Sequence, residues 1–181
     1  GWVTCHPLTD CRPSASLPSG LAQQHCVRSS ITCSDRAATF QQGSDRSVKA
    51  TKKQRKRLGE YVRAIANELE LRDWTITIAH DSPDDSVYAA TVECTYGRKS
   101  AKIRFCENFL TSHSPEQQRA TVCHELIHCH FKAIEWAYNN LQSDLSPSLF
   151  RMGWQGINDQ LEFGIDAMAD AVAKHLPLPS I

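Results

Sequence analysis

Nowhere in these 181 residues does an apolar run approach the roughly 18 needed to cross a bilayer. No early stretch combines a charged start, an apolar block and a small-residue cleavage site, so a secretory leader is not expected. An opening Gly1 in place of Met fits a processed, tagged or incomplete end, and a removed targeting signal stays open. No C-x-x-C pair occurs among the eight cysteines (Cys5, Cys11, Cys26, Cys33, Cys94, Cys106, Cys123 and Cys129). Their irregular spacing over a long chain argues against a disulfide scaffold. The last four are expected to be free and mostly buried thiols. The compartment stays open, with a lean towards the cytoplasm, and no membrane contact is expected. No internal repeat is visible.

A net charge is also lacking, but the zero hides an asymmetry. Residues 1–60 carry ten Lys/Arg against four Asp/Glu, and residues 61–181 carry ten against sixteen. Much of the excess positive charge lies in "RSVKATKKQRKRLGEYVR", from Arg46 to Arg63. The plain reading is a solvated helix face; the alternative is a weak nucleic-acid contact through Lys49–Arg63.

Residues 1–47 are rich in Ser, Thr, Gln, Pro and Gly and show no useful periodicity. Such a stretch buries too little apolar surface to offset its ordering entropy. It is expected to be a disordered or non-native tail, with a folded domain over 48–181. Within that domain, Leu58, Val62, Ile65, Ala66 and Leu69 recur at helical spacing. "WTITIAH" (Trp74 to His80) reads as a strand, and "YAATVECT" and "AKIRF" as two more, joined by "YGRKS" with Gly97 at the turn. Ser114-Pro115-Glu116-Gln117 carries a helix-start signature for a helix reaching about Tyr138. "SDLSPS" ends it, and a last helix spans about Leu149 to His175. The order helix, three strands, helix, helix predicts a small α+β domain with a short, mostly antiparallel sheet.

The third helix contains "TVCHELIHCH", in which His124, Glu125 and His128 spell H-E-x-x-H. At this composition the pattern arises by chance about 0.02 times per chain, so context must support it. Four residues turn roughly 400° on a helix, which stacks His124 and His128 on one face. Two imidazoles so placed can grip one Zn²⁺. Glu125, rotated by about 100°, can reach a water beside the metal and serve as general base. The bland alternative is a helix rich in surface histidine.

A catalytic zinc wants a third protein ligand and an open position. His130 lies about 200° around the helix from His128, Cys129 is off the face, and His113 precedes the helix. Glu162, in "QLEFGIDAMAD" of the last helix, is the best candidate. Asp166 follows at i+4 and can hold the second ring nitrogen of one histidine. The competing reading makes Glu162, Asp166 and Asp170 a solvated stripe beside Leu161, Ile165, Met168 and Val172.

HELIH followed by a helical E-x-x-x-D resembles the gluzincin branch of zinc metallopeptidases. The resemblance implies a minimal zincin-like domain, with His124, His128 and Glu162 as zinc ligands, Glu125 as base and Asp166 behind a ligand. Over residues 50–181 the chain is similar to small HExxH proteins of metallopeptidase type from bacteriophages and actinobacterial genomes. The HELIH string also resembles SprT-like proteases that act on DNA-bound proteins; those use a downstream His, and none lies between His130 and His175. The implied activity is peptide-bond hydrolysis by metal-activated water on a peptide or protein substrate. The alternatives are a non-catalytic zinc-binding structural or virion-associated module, and an SprT-like protease. In zincin-type enzymes an extended substrate pairs with an edge strand, and either strand of the 88–105 hairpin fits. Tyr138, His130, Tyr96 and Arg104 are candidate donors to an oxyanion.

Overall fold

The computed structural model describes residues 50–83 and 88–181. The predicted tail, Lys49 and the first four cysteines lie outside those residues. Helix α1 (Lys52–Glu68) starts at a capping box in which Thr51 and Gln54 exchange side-chain and backbone bonds. Its buried stripe is Leu58, Tyr61, Val62, Ile65 and Ala66, close to the expected one.

Strands β1 (Thr75–Ile78), β2 (Ala90–Thr95) and β3 (Ser100–Phe105) form one sheet in the order β1-β3-β2. β3 runs parallel to β1 and antiparallel to β2. The sheet is therefore mixed, where a mostly antiparallel one was expected. The expectation treats neighbours in sequence as neighbours in space. Here the third strand inserts between the first two, and its inward residues Ala101, Ile103 and Phe105 are all buried. On the same face sit Ile76, Ile78, Val92 and Cys94, paired in register with Ala101 and Ile103. The opposite face carries Glu93, Lys102 and Arg104, with Arg104 bonded to Asp81 at 2.9 Å and Glu93 at 3.1 Å.

The turn between β2 and β3 is a 3₁₀ turn over Tyr96–Arg98. Lys99, not Gly97, takes the left-handed conformation there, at φ 45°. Lys99 is tied to the Asp73 carboxylate, an exposed pair that holds β3's start near the loop before β1. After a short helix α2 (Phe109–Ser112), the long α3 (Pro115–Asn139) begins at Ser114, whose side chain accepts from the Gln117 N–H while Gln117 bonds back. Helix α4 (Pro147–Ala173) begins two residues earlier than expected, on a second Ser-Pro start at Ser146-Pro147.

The core has two parts. α1, the sheet and one side of α3 bury Val62, Ile65, Ile103, Val122 and Leu126 together. The other side of α3 buries Cys123 and Ile127 against Ile165, Ala169 and Ala173 of α4. α3 is thus sandwiched, and every residue from Thr121 to Cys129 is buried. Beyond α4 the chain returns over α1 and α3: Tyr61 donates to the Pro177 carbonyl at 2.8 Å, and Arg119 to the Leu176 carbonyl at 2.9 Å. Among the described residues no helix is long and apolar enough to cross a membrane.

Candidate metal centre

The sandwiching of α3 decides the state of its histidines. His124, Glu125 and His128 are 1 %, 0 % and 2 % exposed. The surface-histidine reading fails on those numbers, because buried polar groups need partners. The Nε2 atoms of His124 and His128 lie 3.0 Å apart. Across the α3–α4 contact, Glu162 Oε2 lies 3.6 Å from His124 Nε2 and 3.8 Å from His128 Nε2. A triangle with those sides has a centre about 2.0 Å from each corner, which matches zinc–nitrogen and zinc–oxygen bond lengths. These three residues are the one such cluster among the described residues, and they could hold a metal ion.

Electrostatics point the same way. Burial, with the neighbouring His124, pushes the His128 pKa down to about 4. The ring is therefore neutral at pH 7, the form that binds a metal. Glu125 is buried, and its two carboxyl oxygens have no hydrogen-bond partner in the protein. Its pKa is driven well above the ordinary value, first by desolvation and then by the Glu162 charge. The Val92 backbone on β2 lowers it a little without closing an aligned bond. A carboxyl so stranded costs about 1–3 kcal/mol or more unless something outside the protein atoms satisfies it. A water and a cation beside it would do so. Two imidazoles and a carboxylate are also a donor set that suits zinc.

Asp166 is where the i+4 spacing puts it, with Oδ1 2.9 Å from His124 Nδ1. The approach is off the N–H direction, so that nitrogen has no aligned acceptor. The Asp166 side chain is 62 % exposed, which leaves it free to rotate into line. Asp170 remains on the solvent side of α4. The stripe reading is thus half right: Glu162 turns to the histidines and Asp170 does not.

His130 is directed elsewhere, with Nε2 2.8 Å from the Leu69 carbonyl. His113 stacks near Phe109, its pKa lowered by burial. The four candidate oxyanion donors are occupied or distant in role. Tyr138 donates to the Phe150 carbonyl at 2.9 Å, Tyr96 packs on Trp136, and Arg104 serves the open face of the sheet. Of the two hairpin strands, β2 is at the sheet's edge among the described residues and contacts α3; β3 is central and has both edges paired.

The sequence reading passed over a second buried charge cluster. One turn beyond His128 on the same helix face, Lys132 Nζ bonds Glu135 at 2.6 Å, with side chains only 15 % and 6 % exposed. Burial raises the Glu135 pKa while Lys132 opposes the rise. The spacing 124, 128, 132, 135 was the available signal. Cys94 and Cys129 also meet, with Sγ atoms 3.5 Å apart, locking β2 to α3. Both are free thiols, as is buried Cys123; Cys106 is half-buried.

In comparisons with protein-family models, curated proteins and solved structures, nothing matches this chain.

Proposed function

We propose that the chain is a zinc-dependent metallopeptidase, with His124, His128 and Glu162 as ligands and Glu125 as general base. The observation that carries the reading is the buried, unpartnered Glu125 carboxyl beside a two-imidazole, one-carboxylate triangle. A bound zinc ion would polarise a substrate carbonyl and acidify a water. Glu125 takes up that water's proton at a carboxyl oxygen and passes it to the leaving amine. Asp166 orients the His124 ring through Nδ1. β2, the edge strand beside α3, presents backbone groups for an extended peptide.

Ligand number weighs against the purely structural zinc module. Structural zinc sites are closed by four protein ligands, whereas this cluster supplies three. The Glu in third place weighs against the SprT-like reading, which expects a His. The test is twofold. Elemental analysis of the purified protein should find one zinc per chain. Glu125→Gln should keep the zinc and lose hydrolysis of an unfolded protein substrate; full activity in that variant sinks the reading.

A further inference from the structure

The basic run that the metal centre leaves unused lines a groove at the far edge of the sheet. Between α1 and β1 lies a groove of about 740 Å³. Lys52, Arg55, Lys56 and Arg63 form its α1 side at helical spacing, and the half-buried Ile76 and Ile78 supply apolar surface. Among the described residues no carboxylate lines it. Among the described residues, Lys56 alone of the four cations has an ion pair, an exposed one to Glu60 at 3.8 Å.

Among the described residues β1 is an edge strand. The N–H groups of Thr75 and Ala79 bond the Lys99 and Ile103 carbonyls on the β3 side. Backbone groups alternate sides along a strand, so Ile76 and Ile78 turn their N–H and C=O outward. Such a row is a template for another strand. It sits beneath an overhanging helix whose Gly59 leaves space: a Cβ there would meet Ile78 Cδ1 at 3.8 Å and Arg63 Nη2 at 4.0 Å.

We propose that this groove binds an extended acidic segment of a partner protein, added to β1 as a fourth strand. Backbone pairing to Ile76 and Ile78 supplies the register. Apolar side chains of the segment rest on Ile76 and Ile78, and its carboxylates meet the four cations. The four cations in the lining select the sign. Peptide is favoured over single-stranded nucleic acid because His80 is the one ring in the lining, and strand binders stack bases on aromatic platforms. The proposal stands apart from the metal centre and holds whether or not the chain hydrolyses peptides.

The test uses the full chain and a fluorescent ten-residue peptide of alternating valine and glutamate, followed by anisotropy. Saturable binding is expected, weakened at least about tenfold by the pair Arg55→Glu and Lys56→Glu. Gly59→Leu should fill the groove and weaken binding similarly, with an unchanged melting temperature reporting an intact fold. N-methylation of alternate peptide amides should abolish binding in one register and spare it in the other. No binding up to about 1 mM, about −4 kcal/mol, overturns the proposal. So does indifference to both substitutions or to N-methylation. Tighter binding of a ten-nucleotide oligothymidylate would overturn it in favour of nucleic acid.

Discussion

The Nε2 atoms of His124 and His128 face each other 3.0 Å apart inside the protein, with the Glu162 carboxylate closing the triangle from another helix. At that distance one Nε2–H can donate to the other Nε2, and a cation held between the two nitrogens would take the place of that proton. That relationship makes the α3–α4 contact both structural and chemical, and the predictions below probe it.

Glu162→Ala should lower zinc affinity sharply while the fold survives, because Glu162 is one corner of the triangle. Asp166→Asn should act through His124 and cost about tenfold, the low end for a residue behind a ligand, given its exposure. Competition with a chromogenic chelator measures both. Equal affinity in wild type and Glu162→Ala would move the third ligand elsewhere.

Metal-free stability should depend on pH with two opposed slopes. His128 has its pKa lowered from 6.5 to about 4. The unfolded chain then binds the extra proton between those values, so stability falls as pH drops from 6.5 to 4, by up to roughly 3 kcal/mol. Glu125 has its pKa raised above 4.5, so the folded state holds the extra proton and stability falls as pH rises past 4.5. Glu135 adds the same sign. The slopes oppose each other between 4.5 and 6.5. Above 6.5 the His128 slope has ended, and Glu125→Gln should reduce the carboxyl loss. Urea melts in chelator across pH 4 to 9 read this directly.

Lys132→Met should destabilise the domain by about 3–5 kcal/mol, because it strands the buried Glu135 carboxyl. Adding Glu135→Leu should recover most of that loss. A double-mutant cycle in denaturant gives the coupling; additive losses would show that the two side chains do not depend on each other.

Gly153→Ala should loosen the helix pair that assembles the centre. A Cβ at Gly153 would lie 2.2 Å from the Tyr138 hydroxyl, which donates to the Phe150 carbonyl. We expect a cost of about 1–3 kcal/mol and weaker zinc binding. Tyr138→Phe in the same chain should relieve the clash and restore part of both. By contrast Gly97→Ala should be harmless: nothing lies within 4 Å of its Cβ position and its φ is not positive.

Local signals were legible wherever one segment settles its own state. The Ser114 and Gln117 capping box, the α1 stripe from Leu58 to Ala66 and the alternation of "AKIRF" all appear as expected. The α4 start shares the Ser cap and the following proline but has Leu149 where α3 has Gln117, and in sequence it reads as a break. The hairpin turn was assigned to Gly97 by composition, yet Lys99 takes the strained conformation, held by Asp73. Pairing between distant segments was less legible. Nothing local says that β3 enters between β1 and β2, since each strand's alternation is satisfied by either arrangement.

The amino-acid order by itself determined that His124 and His128 share a helix face with Glu125 beside them, because helical rotation is a local property. It also determined that Asp166 follows Glu162 by one turn. Only the tertiary structure decided that this face is dry, that Glu162 comes within 4 Å of both imidazoles, and that β2 is the edge beside it among the described residues. The reason is burial from two sides: the sheet and α4 together remove water from α3, and a histidine's chemistry follows its solvent.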